Sequence, residues 1–367
     1  MTAFFHDELT LWHSGGNYAG MAPVGGLVQP SASGGLPENP ETKRRLVNLL
    51  RVTGLWDELD LRTARPLDRE ALERVHPAAY LDRFEALSDA GGGEIGLRAP
   101  FGPGGYGIAA LSAGLGAAAL GAVLRGEAPA AYALTRPPGH HCLPDRPMGF
   151  CLLANGALAV EAALADGLAE RIAVLDWDVH HGNGTEAVFY ERGDVLTVSI
   201  HQERNFPLDT GAFSDRGGGA GEGANLNVPL PPGAGHETWL LALERLALRA
   251  IEAFCPDAVL VACGYDASAF DPLGRMLATA ETFGAMTAAV RDLAARVCGG
   301  RLVLMHEGGY SETHVPFCGH AAIEALTGTA IRAPDPFAET LLARQPGPAH
   351  RRMCEDMIAE MAEALAF

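Results

Sequence analysis

Lysine is nearly missing from this chain: Lys43, in the string ETKRRL, is the only one in 367 residues. Schiff-base and phosphate-loop chemistry both need a placed lysine, and Lys43 reads as part of a surface helix, so neither is expected. No G-x-S-x-G occurs, which removes the serine-hydrolase elbow. No run of eighteen apolar residues occurs, and MTAFFHDELTLWHSGG has no basic stretch ahead of a hydrophobic one. A membrane anchor and an export signal are therefore not expected, and a soluble, cytoplasmic protein is. The seven cysteines form no CxxC pair; they read as reduced thiols, mostly buried as small apolar groups, without a structural zinc knot. Positive charge is scarce. With 27 basic residues against 45 acidic ones the net charge is −18, which argues against nucleic-acid binding and fits a solubilising surface.

What is present reads as one α/β domain spanning residues 1–367. The chain is 48% hydrophobic, enough for a large core. Apolar runs of strand length recur at AAYALT (130–135), RIAVLDWD (171–178), VLTVSIH (195–201), DAVLVAC (257–263) and RLVLMH (301–306). Helical stretches separate them, among them 154–170 and 236–254. This alternation predicts βαβ units and a largely parallel sheet with helices on both faces. Asn39 as N-cap, Pro40 at the first position and Gly54 past the end bracket a helix. Residues 1–38 read as a loop region, with GGLVQPSASGGLPENP (25–40) and a second stretch (91–107) as long loops. The end of the chain, about 350–367, reads as a helix whose Met353, Met357, Met361 and Leu365 form an i, i+4 stripe.

The chemistry collects in DWDVHHGNGTE (176–186). Side chains alternate along a strand, so Asp176, Asp178 and His180 share a face if extended geometry persists to the end of the run. They stand at the carboxyl end of a strand, where open α/β sheets form binding crevices. Three polar groups there need a partner, and two carboxylates with an imidazole suit a metal with one position left open. The same placement recurs after three other runs: RPPGHH delivers His140 and His141, GYDAS delivers Asp266, and EGGY delivers Tyr310. Asp178, His180 and Asp266 would then hold the metal. His140 and His141 would handle protons, oriented by Asp176 and Asn183, and Tyr310 would donate to a developing oxyanion. Metal-assisted hydrolysis of an amide or ester is the reaction this set suits.

RPPGHHCLPDRPMGFC, DWDVHHGNGTE, VACGYDASAFDPLGRM and HEGGYSE resemble the signature blocks of the histone deacetylase family, in its class II and bacterial deacetylase-like amidohydrolase branch. The resemblance runs from about residue 40 to about residue 330. It implies the arginase-deacetylase fold with a central, mostly parallel eight-stranded sheet, and Asp178, His180 and Asp266 as ligands of one Zn2+. His140 and His141 match the tandem histidines, the second usually treated as general base, and Tyr310 matches the carbonyl-polarising tyrosine. Asp176 matches the partner of the first histidine, and Asn183 stands where class II members carry asparagine. Phe150 and Phe206 match the aromatic pair of the acyl-lysine tunnel, with Gly149 in its wall. The resemblance also implies K+ sites: Asp176, Asp178, His180, Ser199 and Ile200 at one, Phe189, Arg192 and Val195 at part of another. Homo-oligomers are common among the bacterial relatives.

The resemblance implies a deacetylase acting on N-acetyl-lysine or a related acylated amine, with an acetylpolyamine amidohydrolase as alternative. Leu273 in FDPLG stands where polyamine-selective relatives carry glutamate, and leucine cannot attract a second ammonium. A binuclear-manganese ureohydrolase would need another carboxylate shortly after His180, which Gly182 and Asn183 do not supply. A non-catalytic acyl-amine binder would not need Tyr310 beside a complete ligand set. GLGAAA (114–119) matches a dinucleotide pattern but lies inside a helical stretch and reads as close packing. GGGAGEG (217–223) reads as a flexible loop. His13, His236, His306, His314 and His320 read as core or surface histidines, and Glu307 as a buttress for the loop after it.

Overall fold

The five apolar runs are strands; four are trimmed by one or two residues at an end, and the run 195–201 extends by one to Gln202. In the computed structural model, which describes residues 1–16, 18–23, 27–28 and 35–366, eight strands form one sheet. They are β1 (Ala3–Phe5), β2 (Asp60–Arg62), β3 (Ala130–Ala133), β4 (Ile172–Asp176), β5 (Val195–Gln202), β6 (Asn225–Leu230), β7 (Ala258–Cys263) and β8 (Leu302–His306). Their order is β6-β5-β4-β7-β8-β3-β1-β2, and each neighbouring pair is parallel. β3 stops before Pro137 and Pro138, which have no N–H to give to a ladder.

Both faces of this sheet are covered, so the strands read as unbroken apolar runs. Along β4, Ile172 and Val174 enter one core layer with Leu115 and Ala119, while Ala173 and Leu175 enter the other with Trp239 and Ile251. The helix Gly105–Leu124 is long and apolar enough to cross a membrane, but it lies 78% buried inside the domain. GLGAAA belongs to that helix. A Cβ on Gly116 would come within 2.6 Å of Met305 Cε on β8, so the glycine there admits the sheet rather than a nucleotide. The stretch 236–254 is helical throughout, with one wide turn at Leu243–Ala247.

Four expectations need correction. Residues 1–38 are not all loop: β1 pairs with both β2 and β3 inside the sheet, followed by a short helical turn at Glu8–Trp12. Of the loop expected at 25–40, residues 25, 26 and 29–34 lie outside the described residues. Lys43 is not on the surface: it is 1% exposed, 3.7 Å from the equally buried Glu38. Its helix, Glu41–Thr53, starts one residue later than expected, although Asn39 Oδ1 still accepts the Glu41 N–H at 2.9 Å and Gly54 closes it at φ 85°. The methionine stripe is also displaced. In the helix Pro348–Ala364 the buried side chains are Cys354, Ile358, Met361 and Ala362, and Met353 is 49% exposed.

Candidate active site

β4 and β7 are neighbours whose onward connections run in opposite directions, β4 to β5 on one side and β7 to β8 on the other. Such a switch point opens a crevice beyond the carboxyl ends of the strands. The loop after β4 brings Asp178 and His180 into it, and the loop after β7 brings Asp266. One ligand atom from each of these three residues lies within 4.8 Å of the others, and all three residues are buried. The alternation argument for Asp176, Asp178 and His180 fails in its mechanism: β4 ends at Asp176. Beyond it the chain turns on its own carboxylates, with Asp178 N–H donating to Asp176 Oδ1 (2.9 Å) and His180 N–H to Asp178 Oδ1 (3.0 Å). Asp176 consequently points away from the cluster and contacts His140.

The carboxylates are anchored by backbone donors. Val179 N–H donates to Asp266 Oδ1 at 2.8 Å and Gly308 N–H to Asp178 Oδ2 at 2.8 Å. His180 Nδ1 lies 3.0 Å from Asp178 Oδ1 and 3.1 Å from Asp266 Oδ2. Two buried carboxylates with one imidazole between them require a cation, either a proton on His180 or a metal ion. Burial disfavours the imidazolium, but hydrogen bonds and charge from Asp178 and Asp266 outweigh it and raise His180 to about 10. Asp266 is raised to about 6 by burial and the neighbouring Asp178 charge. Asp178 is held well below the usual carboxylate range because His140 and His180 outweigh its burial.

His140 and His141 stack with ring centroids 3.9 Å apart but have different partners. His140 Nδ1 is 2.9 Å from Asp176 Oδ2; burial opposes its protonation, yet the charges of Asp178 and Asp176 raise it to about 10. His141 Nδ1 is 2.8 Å from Asn183 Oδ1, an uncharged acceptor, and burial and the two neighbouring histidines lower it well below its ordinary value. Asn183 Nδ2 donates to Met148 Sδ, so its oxygen faces the ring and His141 donates from Nδ1, leaving Nε2 as an acceptor. Burial and the charges of Asp266 and Asp178 raise Tyr310 well above its usual value, which keeps its hydroxyl a donor.

A tunnel of about 100 Å³ leads to this floor, lined by His141, Gly149, Phe150, His180, Phe206, Leu273 and Tyr310 and, nearer the surface, by Met21, Arg98 and Asn205. The structure thus brings together every residue that the sequence assigned to proton handling, metal ligation and the tunnel. Asp176 and Ser199 are register partners on β4 and β5, with Ile200 next along β5. Phe189 ends the helix Asn183–Phe189, Val195 opens β5, and Arg192 lies on the turn between them, its N–H donating to the Phe189 carbonyl. Glu307 buttresses RPPGHH, accepting from the N–H groups of Gly139 (2.7 Å) and His140 (3.2 Å). Asp271 was missed: its two oxygens accept the N–H of Tyr310 (2.7 Å) and of Leu273 (2.9 Å), tying the tyrosine loop to the tunnel wall. Its position two residues before Leu273, in FDPLG, is the turn signal that could have revealed it. A larger groove of about 780 Å³ lies elsewhere, but several of its charged groups are paired with one another, Glu237 with Arg351 and Glu324 with Arg332.

A family model described as histone deacetylase domain matches residues 36–326. The chain is 56% identical to a histone deacetylase-like amidohydrolase of Pseudomonas aeruginosa, over 98% of this chain and 95% of that one. It is 36% identical to a probable deacetylase of Archaeoglobus fulgidus, over 84% and 88%, and 35% identical to histone deacetylase 8 of Arabidopsis thaliana, over 84% and 82%. Its fold is similar to the crystal structure of the HDA15 HD domain, with a TM-score of 0.82 and 30% identity over 99% of this chain and 96% of that one.

Proposed function

The chain belongs to the histone deacetylase family and is an amide-cleaving hydrolase, and from that premise we propose that it is a zinc-dependent deacetylase releasing acetate from N-acetyl-lysine or a related acylated amine. The observation that carries this reading is the buried convergence of Asp178, His180 and Asp266 at the floor of a tunnel that His141 and Tyr310 also line. Two carboxylates and one imidazole, with no thiolate among them, are a donor set that fits Zn2+ and leaves a position open. Bound there, the metal would act as a Lewis acid toward the acyl carbonyl and lower the pKa of water.

The chain's own groups supply the rest. Tyr310 donates a hydrogen bond to the carbonyl oxygen as negative charge builds on it. His141, kept neutral beside Asn183, accepts the proton of the attacking water at Nε2. His140, kept charged beside Asp176, supplies positive charge and a proton for the departing amine. Phe150 and Phe206 enclose the apolar part of the substrate, and Leu273 offers no carboxylate to a second ammonium, which favours acyl-lysine over acetylpolyamine. K+ is proposed at Asp176, Asp178, His180, Ser199 and Ile200, with a second site at Phe189, Arg192 and Val195.

The test is kcat/KM of chelator-stripped and zinc-reloaded protein on an acetyl-lysine peptide and on N-acetylputrescine. Activity should vanish on stripping, return with one equivalent of zinc, and favour the peptide. Undiminished turnover in the stripped protein would remove the metal assignment. A preference for the polyamine of about a hundredfold, about 2.7 kcal/mol of transition-state discrimination, would reverse the substrate assignment.

A further inference from the structure

The tunnel mouth carries a charge that the rest of the chain would not lead one to expect. In a protein of net charge −18, the tunnel above the ligand cluster is lined by no aspartate or glutamate among the described residues, and its rim holds Arg98. Among the described residues this guanidinium has no ion-pair partner; it lies 5.9 Å from the centre of the Phe206 ring. The acid four positions earlier, Glu94, instead accepts the Tyr18 hydroxyl at 2.6 Å. The side chain is exposed, but its backbone is not free. Arg98 O accepts the Phe150 N–H at 2.8 Å, and Leu97 O accepts the Gly149 N–H at 2.9 Å, so this residue is sewn to the tunnel wall. Its φ is 56°, a left-handed conformation in which glycine or asparagine would be the local choice. Arginine stands there instead.

We propose that Arg98 forms an anion subsite at the tunnel mouth, recognising a carboxylate on the amine half of the substrate. The inference rests on the deacetylase reading: with the acyl carbonyl at the floor between the ligand cluster and Tyr310, the chain bearing the nitrogen leads outward past Phe150 and Phe206 to the rim. A carboxylate carried there meets the guanidinium, whose planar fork suits it. An ammonium in the same place, as on an acetylpolyamine, is repelled. The ligand class is therefore an acyl-lysine with an anionic group near its α-carbon, rather than a polycation.

The experiment compares N-benzoyl-Nε-acetyl-lysine as free acid and as its carboxamide, which differ by one charge at the mouth and not in the tunnel. Zinc-loaded wild type should favour the acid in kcat/KM by about fivefold or more at low salt, an advantage shrinking as salt rises. Arg98→Gln should bring the ratio near unity, and Arg98→Glu should invert it and raise turnover of N-acetylputrescine. A ratio unchanged in Arg98→Gln would overturn the proposal. Calorimetric affinities of both compounds for the Tyr310→Phe variant, whose tunnel keeps its shape, read the same ratio without turnover. A preference for the acid there that Arg98→Gln removes supports the subsite even if the deacetylase reading fails, and equal affinities overturn it even if that reading stands.

Discussion

Gly308 shows how little room the ligand cluster leaves. A Cβ there would lie 2.3 Å from Asp266 Oδ2 and 2.5 Å from Asp178 Oδ2, and one on Gly264 would lie 2.2 Å from Asp178 Oδ2. The two loops press their backbones against the carboxylates, and only hydrogen at Cα permits it. In addition the Gly308 N–H is itself a donor to Asp178. Gly308→Ala should therefore spread the carboxylates and weaken zinc binding by about 10- to 100-fold, the scale on which groups supporting metal ligands act. Competition with a chromophoric chelator measures this, with circular dichroism as the control for an intact fold. Unaltered zinc affinity would mean that the loop relaxes at no cost.

Between elements, the N-terminal segment is tied to the RPPGHH loop by charge. Arg136 Nε donates to Glu38 Oε1 at 2.9 Å, and its Nη1 donates to the carbonyls of Thr10 (3.2 Å) and His13 (2.8 Å). Burial opposes the Glu38 charge, but Arg136, then Lys43 and His13, outweigh it and hold its carboxyl at about 2. Lys43 is the weaker partner: among the described residues its Nζ has no hydrogen-bond acceptor, and burial lowers its pKa. Removing the two residues should thus have unlike effects. Glu38→Leu leaves Arg136 buried without its carboxylate and should cost about 3–5 kcal/mol. Lys43→Met keeps the volume and the Glu38–Arg136 pair, and should change stability by less than about 1.5 kcal/mol in either direction. Urea midpoints of the two variants decide this, and equal losses would mean that the lysine carries as much of the cluster as the arginine.

For the whole molecule, buried histidines contribute to the response to acid. Burial lowers His76 and His13 to about 4, the latter with help from the Arg136 charge, and burial together with His181 lowers His201 to about 3. An unfolded histidine titrates near 6.5, so between about 4 and 6.5 the unfolded chain binds more protons and stability rises with pH. The contribution of these neutral histidines is complete above about 6.5 and is lost as pH falls toward 4, each contributing up to about 1.4 kcal/mol per pH unit. Glu38 acts lower: its contribution is complete above about 4.3 and is lost as pH falls toward 2. Burial raises Asp266 to about 6, Glu307 to about 7 and Asp271 to about 8, and these act in the opposite sense over the same range. The histidines' share of the acid response is therefore read as a difference: His76→Gln should make stability fall less than in wild type between about pH 6.5 and 4. Chemical denaturation of wild type and His76→Gln from pH 7 to pH 4 checks it; the same pH dependence in both would contradict the buried neutral state of His76.

Much of the sheet and nearly all of the site residues were legible in the amino-acid order. Strands buried on both faces are continuous apolar runs, and β3, β4, β5, β7 and β8 announce themselves that way; metal ligands and proton carriers are rare residue types that stand out directly behind them. β1 and β2 escaped notice because three residues carry too little periodicity, and β6 because Asn225, Asn227 and Pro229 break its apolar run; β1 is a strand only because β2 and β3 lie on either side of it. Lys43 looked like a surface residue because a string of charges says nothing about which neighbour comes to meet it; Glu38 and Arg136 do so only after folding. Asp271 carried a turn signal in FDPLG but nothing to show that it also accepts the Tyr310 N–H of another loop, and Arg98 was invisible because it acts through its place at a rim. The sequence by itself determined which atoms could do the chemistry, because ligand type and basicity belong to the residue. Tertiary structure alone decided which imidazole is charged, where the tunnel opens and what guards it, because those depend on distances between segments far apart in the chain.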